Sequence, residues 1–448
     1  MAIKTERIVK IRTLEVVNFF SEKPALLSAD ILVIGMGAAG VMAALQAARL
    51  GRTVVAADSS FLPGGQAVNA NIGLFCGLYS KTTPHYLYTY GIAEDLLHDL
   101  DVEEALYYRD SGVTIAVAYD EQAYLRWIDS NMIKENVMPV IGVAIDKVER
   151  AGRRLKAVEF LGRFGRVRVE ASFFIDASGD AALAWNAGLA CRVSGEGPVY
   201  GTQMIVVDNV DLAKLPGEQQ IKERILEKAA EFGIERHDGI VFFFPQKNRL
   251  ILNMTHLETP LDPVAFSRSA ITGRERADRA LRFMRSEYPD AFGDATVHAY
   301  GLPGIRQTRW IKGKKQLAAE DVRAGIFFDD AIGRTTWPIE LHDTLATHQW
   351  EPFADDHVHY VPFGAMIPPD VDNLVAAGRC IDADLIALSS VRVMGPCMAM
   401  GMAAAHAADL AGGGSVHDVE IKVLQERIKD NLYRRDELDM TKVKRSVK

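Results

Sequence analysis

Cysteine is scarce in this chain. Cys76, Cys191, Cys380 and Cys397 are scattered through 448 residues, and no two of them stand at CxxC spacing. That argues against a disulfide framework and against an iron–sulfur or zinc site. A long apolar run is also missing. The longest weakly polar stretch, Val391 to Leu410, is interrupted by Arg392 and His406 and does not meet the ~20 apolar residues of a membrane span. Met1 to Asp30 mixes Lys, Arg and Glu with short apolar pieces and has no secretory apolar core. Nor is there an excess of positive charge: 51 basic against 59 acidic residues give −8, which speaks against a nucleic-acid surface. No internal repeat or low-complexity tract occurs. These absences predict a cytoplasmic protein with no membrane and no nucleic-acid partner.

What is present is enough apolar residue, 48% of the chain, for a sizeable core, and enough length for two lobes. Ile31-Leu-Val-Ile-Gly35 reads as a strand buried on both faces of a parallel sheet. Good helix formers from Ala38 to Leu50 follow, with Gly51 placed for a left-handed cap. Thr53 to Asp58 reads as a second strand, completing a βαβ unit. Helices are predicted over Ile92 to Leu106 and Glu121 to Glu135. Strand-like runs at Val140 to Val148, Leu155 to Leu161 and Val167 to Ile175 predict a small meander returning to the main sheet. Strand-like runs near 204–207, 240–244 and 250–254 alternate with helical ones near 219–232 and 263–288, which predicts a second α+β lobe. A strand at Asn373 to Ala377, then a small-residue helix from Pro396 to Leu410, returns the chain to the first lobe. Val416 to Arg435 reads as a charged amphipathic helix, a surface brace or a contact between copies in a homo-oligomer.

Gly35, Gly37 and Gly40 form GxGxxG where the first strand meets the first helix. Gly35 permits the tight turn, Gly37 lets backbone approach a pyrophosphate, and Gly40 allows close helix–strand packing. The first helical residues, Ala38 and Ala39, offer free N–H groups at a positive helix end. Asp58, with Ser59 beside it, ends the second strand about 20 residues later, where an acid accepts hydrogen bonds from a ribose. This unit fits NAD and FAD alike, since both carry an ADP half.

Four further stretches resemble the FAD-dependent oxidoreductases of the glutathione-reductase-type flavoprotein superfamily. Leu62-Pro-Gly64-Gly65-Gln66 resembles that group's glycine pair, where backbone lies along the cofactor. Phe174-Ile-Asp176-Ala177-Ser178-Gly179-Asp180 resembles its DATGD segment, with Ser for Thr. Gly304-Ile-Arg306-Gln307-Thr-Arg309 resembles GIRETR, with Gln307 replacing the common Glu. Asn373 to Ile381 and Ser390 to Gly401 resemble its carboxy-terminal flavin-contacting segment. The resemblance runs from about Ala29 to Ala411. It implies cofactor contacts also from Val143, Gly378, Arg379, Asp382 or Asp384, Gly395, Pro396, Cys397 and Met398. Pro396 suits a first helical position, so that free N–H groups face the flavin.

Arg306 and Arg309 are candidates to clamp a substrate carboxylate or carbonyl, with ion pairs to Asp329 or Asp330 as the alternative. His342, His348, His357 and His359 cluster in sequence. They lack HExxH or facial-triad spacing, so no metal is predicted, and His342 and His359 are taken as candidate general bases. The resulting expectation is an α/β protein with a Rossmann-like FAD-binding domain (parallel sheet plus small β-meander) and an α+β cap. Residues 1–28 form an arm; 29–80, 137–190 and 361–412 the FAD domain; 81–136 and 191–360 the cap; and 413–448 a helical tail. The expected activity is hydride transfer between a small organic substrate and non-covalent FAD, as a dehydrogenase whose electron acceptor the sequence leaves open. An NAD(P)-only dehydrogenase and a non-catalytic flavin-bearing assembly protein are the alternatives.

Overall fold

The computed structural model describes residues 23–110, 114–194, 199–244 and 249–445. Seven strands make the main sheet: β1 (Ala25–Ile34), β2 (Val54–Asp58), β3 (Met138–Ile141), β4 (Val143–Ala151), β5 (Arg154–Gly162), β6 (Gly165–Asp176) and β7 (Leu374–Ala376). Their order is β3-β2-β1-β6-β5-β4, with β7 also pairing with β6. The pairs β3–β2, β2–β1, β1–β6 and β6–β7 are parallel, while β4, β5 and β6 form the antiparallel meander. Ile31, Leu32, Val33 and Ile34 are buried because helices cover one face of this sheet and the meander side the other.

Helix α1 (Ala38–Arg49) crosses from β1 to β2. Gly51, at φ +80°, ends it: its N–H donates to Ala48 O, and that of Arg52 to Ala47 O, the paired bonds of a Schellman turn. Helices α2 (Gly65–Asn69), α3 (Ile92–Val102) and α4 (Glu121–Lys134) follow. Leu96, Leu97, Leu100, Tyr124, Trp127 and Ile128 join the same core as α1, so the helices of residues 81–136 belong to the sheet domain, while Ala116 and Ala118 pack against Met204 of the cap. Leu106 to Asp110 is strand, which shortens the expected first helix.

The second lobe has its own core. Strands Ile240–Phe244, Arg249–Asn253, Ile205–Asp208 and Thr296–Tyr300 form an antiparallel sheet in that order. Helices α5 (Glu218–Phe232) and α6 (Pro263–Glu287) cover it, burying Ile225, Ala277, Leu281 and Phe283 against Leu250 and Leu252. Leu317, Ile332, Ile339 and Val361 belong instead to the core of the first lobe, so the cap is smaller than 191–360.

Three boundaries differ from expectation. Residues 1–22 of the arm lie outside the described residues, and Ala25 to Ser28 are already strand, paired with Val167 to Glu170. The last core helix, α7 (Met394–Ala411), starts two residues before Pro396. The tail is no single helix: it breaks into Val416–Asp418, Ile421–Arg427 and Asp430–Tyr433, then adds Val443–Arg445 to the strand Leu106–Asp110. The breaks fall at Val419–Glu420 and Ile428–Lys429, and Val416, Leu424, Ile428 and Leu432 are all buried in the core of the first lobe. No single helix among the described residues is long and apolar enough to cross a membrane.

Candidate active site

The carboxyl ends of β1, β2, β6 and β7 open onto a cavity of about 1160 Å³ that runs on between the lobes. Its floor is backbone. Gly35, at φ +90°, lies where an added Cβ would stand 2.5 Å from Ala177 O. A Cβ on Gly37 would meet only Gly65 Cα, at 3.9 Å, and would otherwise project into the cavity; the glycines leave that space to a ligand. Ala38 and Ala39 present the start of α1 to the same cavity, joined by Asp58, Ser59, Gly65, Gln66, Ala177, Ser178, Gly179, Gly378, Arg379 and Cys397. Asp58 accepts from the N–H groups of Met36 (2.6 Å) and Ser60 (2.7 Å), while burial raises its pKa against those bonds. Gln66 ties the cradle to the other lobe, its Oε1 accepting from Ile305 N–H at 2.8 Å. One Nη of Arg379 is buried without a partner and belongs to a side chain that faces the cavity. An elongated, glycine-floored cavity with a helix N-terminus at one end fits a dinucleotide.

Several residues named from sequence have other work. Gly40 packs α1 onto the turn, since a Cβ there would stand 1.8 Å from Gly35 O. Gly64, at φ +99°, shapes the next turn and donates to Met36 O at 2.6 Å. Val143 is buried in the second core of the sheet domain, away from the cavity lining. Asp382 is taken by Arg192 (2.8 and 3.3 Å) and by the N–H of Gly313 (2.8 Å), and Asp384 caps its own helix at Ala387 N–H and holds Ala319 N–H. Neither aspartate is among the residues that line the cavity. At the start of α7, Gly395 N–H donates to Cys76 O at 2.9 Å and Pro396, third in the helix, has no N–H. The residues of that helix end that line the cavity are Val393, Met394 and Cys397, while Met398 is in the core.

Beyond the cradle lies a chamber of opposed charges. Arg236 is 2% exposed, bonded through Nε to Asp238 Oδ1 (2.7 Å) and through Nη1 to Asn253 Oδ1 (2.8 Å). Asp238 also accepts from the backbone N–H of His348 (2.9 Å) and is bonded to that residue's Nδ1. Burial opposes ionisation of Asp238, but these bonds outweigh it and hold its carboxyl far below the usual range. Arg306 and Arg392 line the same chamber, donating to the backbone oxygens of Tyr200 (2.8 Å) and Glu340 (3.0 Å). Neither guanidinium has a carboxylate within 4 Å among the described residues. Enclosure, and then the charges of neighbouring arginines, lower the pKa of Arg306; enclosure lowers that of Arg392. Trp337, Glu340 and Trp350 complete the lining.

Arg309 does not reach this chamber: it stacks on the Trp185 ring at 4.8 Å, and Asp330 instead accepts from Gly364 N–H. His359 is fully buried elsewhere, bonded to Ser390 Oγ (2.9 Å) and His357 (3.1 Å), with its pKa pushed down to about 3 by burial and then by His357. His342 sits one layer behind the lining, between Glu340 and His256. The histidine that faces the chamber is His348. Sequence reading placed His348 in the cluster but had no signal for Arg236, Asp238 or His256, which approach it from the cap.

A family model described as FAD dependent oxidoreductase matches residues 30–428. No curated protein matches the chain. Among solved structures, similarity extends to a geranylgeranyl bacteriochlorophyll reductase-like protein from Thermoplasma acidophilum, 11% identical, covering 91% of this chain and 85% of that one with a TM-score of 0.47. A p-nitrophenol 4-monooxygenase from Pseudomonas putida is 12% identical, with 91% and 85% coverage and a TM-score of 0.45. A myxobacterial chondrochloren halogenase is 13% identical, with 90% and 78% coverage and a TM-score of 0.44. Likeness at this level says nothing of substrate.

Proposed function

The chain belongs to the FAD-dependent oxidoreductase family, and on that premise we propose a dehydrogenase that oxidises a small organic anion. The observation that carries this reading is the pair Arg306 and Arg392, two enclosed guanidiniums without carboxylate partners, beside the His348–Asp238 pair. Guanidinium forks match a planar carboxylate and keep their charge where a lysine would lose it. His348 Nδ1 is committed to the Asp238 carboxylate, which leaves Nε2 as a proton acceptor at the chamber wall and stabilises the imidazolium that forms. An acid with a hydroxyl or amino group on the carbon next to its carboxylate meets both features at once. Trp337 and Trp350 restrict water around it.

FAD, when bound, would supply the two-electron acceptor for the hydride equivalent that leaves that carbon. The residues proposed to hold it are Gly35, Gly37, Ala38 and Ala39 at the pyrophosphate, Asp58 and Ser59 at the adenosine, and Gly65, Gln66, Ser178, Gly179, Gly378, Arg379 and Cys397 along the remainder. The parallel sheet with its three-stranded meander supports placing the chain with the glutathione-reductase-type flavoproteins.

The test is anaerobic bleaching of the flavin in the purified holoprotein by a panel of 2-hydroxy and 2-amino acids and their methyl esters. The free acids should bleach it and the esters should not. Arg306→Ala should lose the preference while keeping flavin. Bleaching by neutral donors alone would overturn the anion reading, and a fully loaded flavin that no donor reduces would favour a binding or assembly role.

A further inference from the structure

Part of the cavity wall belongs neither to the glycine cradle nor to the charged chamber. It consists of Ile72, Leu74, Ala116, Met204 and Ile240, with Cys76 at one end and Arg109, Glu218 and Lys222 at the other. The strand pairing gives their order. Cys76 lies beside the chamber, because Gly395 N–H, three residues from Arg392, donates to its carbonyl at 2.9 Å. Leu74, two residues earlier, stands opposite Ala118; Ala116, two residues from Ala118, stands opposite Arg109. Side chains two apart on a strand share a face, so Leu74, Ala118, Ala116 and Arg109 lie on one side of this small sheet. With strands about 4.8 Å apart and a rise of about 3.4 Å per residue, Leu74 to Arg109 is roughly 12 Å.

The cap faces that side of the sheet. Leu74, Ala116, Ala118 and Met204 form one apolar cluster, and Ile72, Cys76 and Ile240 pack against it only half-buried. Alanine at both same-face positions leaves space that a larger side chain would fill, and Ala116 lines the cavity there. At the outer end, Lys222 Nζ is 2.8 Å from Glu218 Oε1, and Arg109 Nη2 is 3.5 Å from Glu218 Oε2. Two cations share one carboxylate. The side chains of Arg109, Glu218 and Lys222 are 18%, 46% and 34% exposed, so this mouth meets solvent with an excess of positive charge. Such a mouth draws in an anion. The apolar wall behind it gives no partner to a polar chain and takes up an aliphatic one.

We propose that this passage binds the hydrocarbon tail of the substrate, which is an acid of medium chain length. Its carboxylate sits at Arg306 and Arg392, and its tail lies along the wall from Cys76 toward Arg109. This rests on the anion reading above and narrows it to one class of acid. A zigzag of ~1.5 Å bonds advances about 1.3 Å per carbon, so a passage of roughly 12 Å takes up on the order of nine carbons. A longer chain meets the charged mouth and gains no further apolar contact.

The test uses the FAD-loaded protein and the straight-chain acids from butanoate to tetradecanoate, which have no hydroxyl or amino group and bind without reacting. Isothermal titration calorimetry reads their Kd and stoichiometry. Kd should fall about fourfold with each added methylene as far as decanoate, and then level off, with a single acid bound per protein. A Kd indifferent to chain length, or several acids bound per protein, would overturn the passage. Ala116→Leu with full flavin should reduce the gain from butanoate to decanoate by about tenfold or more, as filling a packed space does. Ile240→Asn should reduce it too, and decides the location if Ala116→Leu fails to load flavin. An undiminished gain in a flavin-loaded variant would overturn the placement of the tail. The two readings fail separately. A flat Kd series beside bleaching by 2-hydroxy acids of every length overturns the passage and leaves the dehydrogenase; a steep series with no bleaching by any donor does the reverse.

Discussion

His348 faces the chamber with one ring nitrogen because Asp238 holds the other, and Asp238 stays ionised because Arg236 and His348 both bind it. His348→Gln should slow flavin reduction by saturating donor about 100-fold or more while flavin content is kept, measured by stopped-flow absorbance. A rate within twofold of wild type would remove His348 from the reaction. A second residue, His359, concerns stability. Buried and bonded to Ser390, its folded pKa is pushed down to about 3, whereas an unfolded histidine titrates near ~6.5. Below the unfolded value the unfolded chain binds a proton that the folded chain refuses. The stability is therefore complete above about pH 6.5 and is lost progressively as pH falls from there toward the folded value, by at most about 1.4 kcal/mol per pH unit. In urea titrations His359→Gln should show a shallower fall over that window than wild type. An unchanged slope would mean that His359 is not held neutral.

Helix α1 and helix α7 cross where Gly401 meets Ala39: a Cβ on Gly401 would stand 2.0 Å from Ala39 O. This crossing sets the position of the α1 start against the cavity, so structure and cofactor site share one contact. Gly401→Ala should cost about 1 to 3 kcal/mol, as overpacking does, and should lower flavin occupancy as well. Gly51→Ala is the control: at φ +80° with nothing within 4 Å of the new Cβ, it should cost about 1 kcal/mol through backbone strain and leave flavin content unchanged. Thermal denaturation with flavin absorbance on both variants separates the two effects. The tail shows the same economy of contact at its end, where Arg434 pairs with Glu94 (3.1 Å) and covers the Tyr90 ring at 4.4 Å.

Across the whole molecule, the cavity is lined by both lobes, from Gly35 and Asp58 on one side to Arg236, Asn253 and Phe266 on the other. Each lobe keeps a separate apolar core, and Gln66 to Ile305 is among the bonds that join them. FAD, bound to the folded state alone, should therefore stabilise the protein by mass action, by about 2.7 kcal/mol when free FAD is 100 times its Kd. Differential scanning calorimetry with rising FAD should show a matching rise in Tm. A Tm indifferent to FAD would mean that the cavity does not hold it.

The βαβ unit, its glycines, the meander and the return strand at Leu374 were legible in the residues alone, because buried parallel strands are continuous apolar runs and tight turns demand glycine. It likewise brought Asp58, Gly65, Ser178 and Gly378 to attention through local motifs. Which charged side chains face the cavity followed from the packing of the two lobes. Asp382 and Arg309 stand in promising motifs, yet Arg192 and Trp185 take them; Arg236 and Asp238 lie in no motif, yet the cap carries them to His348. A motif records how the backbone must bend around a cofactor. Which of a protein's many ionisable groups keeps a free lone pair or an unmatched charge depends on partners far apart in the chain, and those meet only when the two lobes close on one cavity.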